Sequence, residues 1–304
     1  MGRGTDLKSE PLVSVLMNCF NGEKYLNEAI DSVLAQTYQN WEIIFWDNQS
    51  TDRSAEIFKN YNDPRLKYHF APRHTLLYEA RNCALEKAGG EFIAFLDVDD
   101  WWLPKKLEKQ VPLFLDPEVG MVCGNYWVVS ERKNRRWKSL KRPAPTGWVL
   151  NDLLGLYFVG LLTLVVRRSA LASLDYPCNP QYHKIGDLDL VARLATQWKL
   201  DCEQEPVGFY RAHDSNASLK QGSRHLDELE RWLGEMKDVE AIRSCPNFQL
   251  LKQHSTYQQA IYQLLQTNRI EAYRLARDLP WGHFKARLWV ALMLPGFVVR
   301  RLKN

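Results

Sequence analysis

The sequence predicts an α/β fold: a mostly parallel, Rossmann-like central sheet with flanking helices, followed by an α-helical C-terminal extension. Three observations predict it. Short apolar, β-branched runs alternate with segments of helical period through the first hundred residues. Those runs are apolar on both faces, as strands of a parallel sheet covered by helices must be. After about residue 219 the strand-like runs stop and only helical spacing remains. At 304 residues the chain sits near the limit for one hydrophobic core, so one large α/β domain with an appendage, or two domains, is expected.

Residues 12–17 (LVSVLM) read as the first strand. The polar break at 18–23 carries the turn signal Asn21-Gly22. Tyr25, Leu26, Ile30, Val33 and Leu34 then recur at helical spacing over 23–36. A second buried-type strand, 41–46 (WEIIFW), ends in the polar stretch 47–52, where Ser50 or Thr51 can cap a helix starting near Arg53. A short strand at 67–70 and a helix at 78–88, ended by Gly89-Gly90, follow. The third apolar strand, 91–96 (EFIAFL), runs into Asp97-Val98-Asp99-Asp100. The run 153–166 is apolar for 14 residues but broken by Gly155 and Gly160; it reads as a buried turn plus strand, with a helix at 168–174. Ile185-Gly186-Asp187 opens a helix carrying Leu188, Val191, Leu194 and Ala195. Helical spacing covers 225–237 and 256–279. The expected organisation is an α/β domain over 1–219, with one part at about 12–100 and a second at about 101–219. A helical extension follows over 220–304.

Composition excludes several classes. The chain is 45% hydrophobic and 25% charged with 16 Gly and 14 Pro, unlike collagen-like or disordered sequences. The six cysteines are never closer than 24 residues and form no C-x-x-C pair, so zinc-ribbon, thioredoxin-type and compact disulfide readings lack support. No P-loop, G-x-G-x-x-G, G-x-S-x-G or H-E-x-x-H motif occurs. The N-terminus lacks a signal-peptide core, and no apolar run reaches the roughly 18–20 residues that a spanning helix needs. A cytoplasmic protein is expected. The net charge of +4 does not diagnose a nucleic-acid binder, and its distribution says more. Residues 281–304 hold five basic residues (Lys285, Arg287, Arg300, Arg301, Lys303) and no acid, and removing those five from the total leaves −1 on the rest.

Polar residues fall at the carboxyl ends of the predicted strands, where open α/β sheets bind ligands: 18–21, 47–52 and 97–100. Asn and Asp also favour turns for their own sake. Three such loops together, rich in acids that turns do not need, favour a site. A D-x-D triplet arises about once by chance in a chain with 18 aspartates. Two occur, Asp97-Val98-Asp99 and Asp187-Leu188-Asp189, and the first gains weight by ending a buried strand. Clustered carboxylates there repel one another unless a cation neutralises them, and oxygen ligands suit Mg²⁺ or Mn²⁺ bound with substrate phosphates.

These segments resemble the inverting glycosyltransferases of family 2, which have the GT-A fold. VSVLMNCFNGEKYLNEAIDSVLAQTYQNWEIIFWDNQSTD is similar to the family's opening strand–helix–strand. EARNCALEKAGGEFIAFLDVDDWWLPKKL resembles its A-R-N helix and L-D-x-D-D strand end. LVVRRSAL with IGDLDLVARLA resembles the catalytic-base segment, and GFYRAHDSNAS a loop near the diphosphate. The likeness covers about 13–218 and leaves the extension outside it. It implies that Asn18, Phe20, Asn21, Asn48 and Arg81 line a nucleotide-sugar pocket, with Asp47 supporting the Asn48 loop. Asp97 would contact the ribose side, Asp99 would ligate a divalent metal (Mn²⁺ or Mg²⁺) with Asp97 beside it, and Asp187 would be the general base; His213 would either reach the metal or diphosphate or be a loop histidine bonded to backbone. It also implies a nucleoside diphosphate-sugar donor (UDP- or dTDP- rather than GDP-) and a glycan or lipid-linked acceptor in cell-surface polysaccharide or lipopolysaccharide synthesis, with no nucleic acid involved.

The chain departs from the family pattern at three positions. Asn48 stands where a second Asp is frequent, Gly186 where a Glu often precedes the base, and Phe20 where a Tyr is common. The Q-x-x-R-W motif of processive members is missing downstream of Asp187; Arg136-Trp137 lies upstream. Transfer of a single sugar is therefore expected. Trp101-Trp102 is read as packing before sugar stacking, and Asp189 as a supporting carboxylate before a second base. The basic, apolar stretch 281–304 suits an anionic membrane surface, placing the protein on the cytoplasmic face of the inner membrane; a docked terminal helix or a dimer contact is the alternative there. Two rival functions stand beside the main one. A sugar-1-phosphate nucleotidyltransferase would need a glycine-rich basic N-terminal loop, which 13–23 does not supply. A non-catalytic nucleotide- or glycan-binding module would have no use for both Asp99 and Asp187.

Overall fold

The computed structural model describes residues 10–213 and 223–294, which divide into two compact units. The first, Met1–Val149 with Phe158–Leu219, carries the sheet. Its elements run β1 (Val13–Cys19), α1 (Leu26–Leu34), β2 (Trp41–Asp47), α2 (Ser54–Lys59), β3 (Leu66–Phe70), α3 (Leu77–Lys87), β4 (Phe92–Phe95), β5 (Trp101–Trp102), α4 (Lys106–Gln110), β6 (Val119–Ser130) and β7 (Arg135–Lys138). α5 (Leu150–Gly155) belongs to the second unit, and β8 (Val165–Arg167), α6 (Arg168–Ala172), α7 (Gly186–Leu194) and β9 (Lys199–Ala212) complete the first.

Nine strands among the described residues form one sheet in the order β3-β2-β1-β4-β8-β6-β9-β5, with β7 paired to β6. From β3 to β4 every pairing is parallel, as the alternating pattern predicts. Beyond β4 the sheet is mixed: β8 runs antiparallel to β4 and β6, while β9 pairs parallel with β6. β9 carries polar and charged residues along its exposed middle, and the buried start of β6 is broken by Gly120, Gly124 and Asn125, so both lack the continuous apolar signature that marks β1, β2 and β4. Side chains of Val15, Met17, Ile43 and Phe45 project to one face and bury Leu26, Ala29, Ile30 and Val33 of α1. Each such aliphatic residue contributes roughly 1.5–3 kcal/mol by leaving water. The opposite face of β1 and β2 is covered by α3.

Two segments differ from the sequence expectation. The apolar run 153–166 is divided: its start is helical in α5, Leu161–Thr163 form a 3₁₀ turn, and only Val165–Arg167 is strand. The helical stretch 256–279 is two helices, α10 (Pro246–Leu265) and α11 (Arg269–Asp278). Thr267 between them has a left-handed φ of 65°, and the Asn268 side chain caps α11 by accepting from the Glu271 N–H. Apolar periodicity continues across such a break, so it is blind to it.

The second unit, Leu150–Tyr157 with Lys220–Asn304, is helical in its described residues. It comprises α5, α8 (Ser223–Met236), α9 (Glu240–Arg243), α10, α11 and α12 (His283–Met293). Ala260, Leu264, Ala272, Ala276, Leu279 and Leu288 make a small core between α10, α11 and α12. Asn247 ties α10 to α5, its N–H donating to the Asn151 side chain at 3.0 Å and its amide to the Asn151 carbonyl at 2.8 Å. No helix among the described residues is long and apolar enough to cross a membrane. Residues 295–304, the end of the basic stretch, lie outside the described residues, as do 214–218 of the expected diphosphate loop.

Candidate active site

The carboxyl ends of β1, β2 and β4 bring most of the sequence-predicted residues into one region. Asn18, next to last in β1, is 9% exposed, and its side-chain Nδ2 has no hydrogen-bond partner among the described residues. A buried amide N–H without an acceptor costs on the order of 1–3 kcal/mol, which a ligand carbonyl or hydroxyl would recover. Phe20 follows with its ring 52% exposed and 4.4 Å from that of His74. The two offer an aromatic surface at the rim.

The neighbouring residues serve the loops. Asn21 has a φ of 56°, and its carboxamide oxygen accepts from the N–H and hydroxyl of Thr51. Asp47 is fully buried, accepting from the Ser50 N–H at 2.7 Å and the Tyr68 hydroxyl at 2.7 Å. The Asn48 side chain is spent on one residue: its oxygen accepts from the N–H and hydroxyl of Thr75, and its NH₂ donates to the Thr75 carbonyl. An aspartate could not make that last bond. In this geometry Asn21, Asp47 and Asn48 hold the pocket wall.

Arg81, on α3, is 3% exposed and donates to Asp97 at 2.8 Å. The Asp97 carboxylate is otherwise 42% exposed, so its second oxygen remains accessible. Asp99 faces His213, with 3.0 Å between Oδ2 and Nε2. Burial and the nearby charge of Asp97 hold the Asp99 carboxyl above the usual range. Asp100 is 3% exposed and pushed well above it by burial and by both neighbouring acids. This acid turn is strapped by Arg211, whose N–H donates to Asp100 at 2.9 Å and whose Nε donates to the Asp99 carbonyl at 3.1 Å. The Arg211 guanidinium also pairs with Glu131 and Glu28 and lies over the rings of Tyr25 and Trp101.

Asp99 and His213 would offer one carboxylate and one imidazole to a divalent cation, whose charge would relieve the repulsion between Asp97 and Asp99. Among the described residues no group of three or more His, Cys, Asp or Glu side chains is arranged to enclose an ion, so the protein would supply part of the shell.

Asp187 lies in the first turn of α7, half-buried, accepting from the Leu188 N–H at 2.9 Å. Burial raises its carboxyl, with the charge of Asp97 adding to the effect and Arg81 opposing it. That influence brings Asp187 close to Arg81 and Asp97, although Asp97 is roughly ninety residues away in sequence. Asp189 is fully buried and paired with Arg193 at 2.6 Å. Arg193 in turn donates to the carbonyls of Tyr176 and Pro177, so Asp189 supports the loop before α7. Trp102 is 2% exposed, donating to the Leu162 carbonyl, and Trp101 stacks on Phe209; both pack. Arg136 and Trp137 sit on β7.

Three residues that the sequence reading did not single out have structural work here. Tyr78 and Asn82 share α3 with Arg81, and Arg211 lies on β9. The Asn82 amide clasps the Cys178 backbone in both directions, at 2.8 and 3.0 Å. Arg211 stands two residues before His213 within a motif segment, and that proximity was the available signal.

The sequence pattern of the family described as Glycosyl transferase family 2 matches residues 14–171. The Escherichia coli UDP-Glc:alpha-D-GlcNAc-diphosphoundecaprenol beta-1,3-glucosyltransferase WfgD is 36% identical over 166 residues, 55% of this chain and 64% of that protein. The chain thus matches less than two thirds of that relative's length. S. aureus TarS 1–349 in complex with UDP-GlcNAc is similar in fold, with a TM-score of 0.61 at 18% identity over 92% of this chain and 79% of that one. The Pyrobaculum calidifontis mannosyltransferase PcManGT in complex with GDP-Man and Mn²⁺ gives 0.58 at 18% identity over 97% of this chain and 80% of that one.

Proposed function

The chain belongs to glycosyl transferase family 2, and from that premise we propose that it moves one sugar from a nucleoside diphosphate-sugar to a hydroxyl of a glycan or lipid-linked acceptor, inverting the anomeric centre. The observation that carries this reading is the Arg81–Asp97 ion pair, with Asp99 beside Asp97 on one side and Asp187 within reach of both charges on the other. Donor-side acids and an acceptor-side base are what a single displacement needs. WfgD, by its name, takes UDP-glucose and a diphosphoundecaprenol-linked acceptor; a UDP- or dTDP-sugar and a lipid-linked glycan are the corresponding proposals here.

In this mechanism the nucleobase lies against Phe20, with the Asn18 amide donating to it. Arg81 fixes the Asp97 carboxylate for the ribose side. Asp99, His213 and Asp97 would hold Mn²⁺ or Mg²⁺. When bound, that cation supplies positive charge against the charge that builds on the departing nucleoside diphosphate. Asp187 accepts the proton of the acceptor hydroxyl as its oxygen attacks the anomeric carbon from the face opposite the leaving group. Its raised carboxyl suits a base whose conjugate acid must form in a water-poor site. The catalytic domain is then residues 1–219 without α5, and the helical unit is its extension.

The described part of the extension also supports a membrane-surface role. Trp281, Val290 and Met293 are 83, 59 and 80% exposed, beside Lys285 and Arg287. Apolar side chains flanked by bases suit the interface of an anionic leaflet, which would hold the enzyme at the cytoplasmic face beside a lipid-linked acceptor. The test of the whole reading is thermal stabilisation of the purified protein by UDP-, dTDP- and GDP-sugars with and without Mn²⁺. Stabilisation by none of them overturns it.

A further inference from the structure

One buried aromatic ring stands between the donor-side acids and the base. Tyr78 opens α3 and is 4% exposed. Its hydroxyl accepts a hydrogen bond from the backbone N–H of Asp187 at 3.0 Å. A Cβ at Gly186 would lie 2.4 Å from Tyr78 Cζ, so the ring occupies the place where any other residue's side chain would begin. The Arg81 guanidinium lies 4.8 Å from the centre of the same ring while it holds Asp97.

We propose that Tyr78 is the positioning residue of the general base: its ring and hydroxyl seat the first turn of α7 and, through Arg81, tie that turn to the acids after β4. The proposal rests on the reading of Asp187 as base. Its physical argument begins with the helix start, where the first N–H groups of α7 have no partner inside the helix. Tyr78 satisfies the one that belongs to Asp187. The Asp187 carboxylate meanwhile turns onto the Leu188 N–H, so the seating of this turn decides where the carboxylate sits. A displacement of about 1 Å at a reacting group can cost on the order of a hundredfold in rate. Gly186 is the other half of the device. A side chain there would expel the ring on which Arg81 rests, disturbing the base and the donor side together. The charged and titratable groups around Asp187 are Arg81, Asp97, Cys178, Tyr126 and Tyr78 itself.

Tyr78→Phe keeps the ring and removes only the acceptor. The expected result is a kcat lower by about tenfold, a lowered melting temperature from the lost acceptor, and donor KM and nucleotide affinity by calorimetry essentially those of the wild type. The ¹³C titration of the Asp187 carboxyl, assigned with Asp187→Asn, should move back toward the ordinary aspartate value as the loosened turn admits water. Gly186→Ala should lower kcat and donor affinity together. A Tyr78→Phe protein with kcat within twofold of wild type and an unmoved Asp187 titration overturns the proposal. Normal turnover by Asp187→Asn would instead remove Asp187 as base, and the carboxyl titration would still report whether Tyr78 seats that turn.

Discussion

The carboxylate of Asp100 accepts a hydrogen bond from the backbone N–H of Arg211 at 2.9 Å, fastening the turn after β4 to strand β9. The Arg211 side chain completes the strap through the Asp99 carbonyl, Glu28 and Glu131. The two loops that hold Asp99 and His213 therefore share one anchor. Arg211→Ala should lower stability by about 2 kcal/mol, since it leaves acids without their partner, and should weaken Mn²⁺-dependent nucleotide binding. Thermal unfolding and calorimetry check both. Arg211→Lys should not rescue them, because a point charge cannot make the forked contacts.

Asp99→Ala should abolish the metal-dependent part of nucleotide binding while leaving the fold intact. Isothermal titration with and without Mn²⁺ measures it. An affinity that is equal in both conditions, in the wild type and the variant alike, would remove the cation from this site.

Asp187→Asn should retain donor binding and lose roughly 10²–10⁴-fold in turnover, the range that a general base supplies. The pH dependence follows from the raised carboxyl. Asp187 must be ionised to accept a proton, so turnover falls as pH drops through its pKa. Because burial raises that pKa, the acid limb of the kcat profile should lie above the ordinary aspartate range. A limb at about 3.9 or below would contradict the burial.

Lys106 is fully buried, donating to the Gln110 side chain at 2.6 Å and lying over the Trp102 ring with no acid beside it among the described residues. Burial alone holds its amine well below the usual value. The unfolded chain then binds a proton that the folded chain releases, so stability rises with pH between the folded and unfolded pKa values, by up to about 1.4 kcal/mol per pH unit. Wild-type protein should gain thermal stability from pH 7 to pH 9 more steeply than Lys106→Met, which should be as stable or more stable at pH 7.

The membrane-surface role predicts that Val290→Asp with Met293→Asp reduces co-sedimentation with vesicles containing phosphatidylglycerol, while binding to neutral vesicles is weak for both proteins. These exposed positions are a cleaner probe than deleting 281–304, which would strip Leu288 from the small core of the extension. Equal sedimentation of wild type and variant would assign the stretch to another contact.

Periodicity sufficed where burial is two-sided or strictly one-sided. β1, β2, β4 and α1 were legible because every strand side chain is buried or because apolar residues recur along one face. It missed β6, whose buried start is broken by Gly120, Gly124 and Asn125, and β9, where polar and charged residues interrupt the apolar ones, and it ran through the break at Thr267. For the site, residue type and motif spacing pointed to Asp97, Asp99 and Asp187. They could not say that Asn48 is consumed by Thr75, or that Tyr78 fills the space above Gly186.

The sequence by itself determined the alternation of strand and helix, the loops where polar groups collect and the acids available for chemistry. These are local properties, set by side-chain polarity and period. Only the tertiary structure decided which acids share a field, which amides are spent on loops and which residue holds each acid in place. Those depend on hydrogen bonds and burial between segments up to about a hundred residues apart, such as Asp187 with Tyr78 and Arg211 with Asp100. Such bonds have direction and short reach, and no one-dimensional pattern records them.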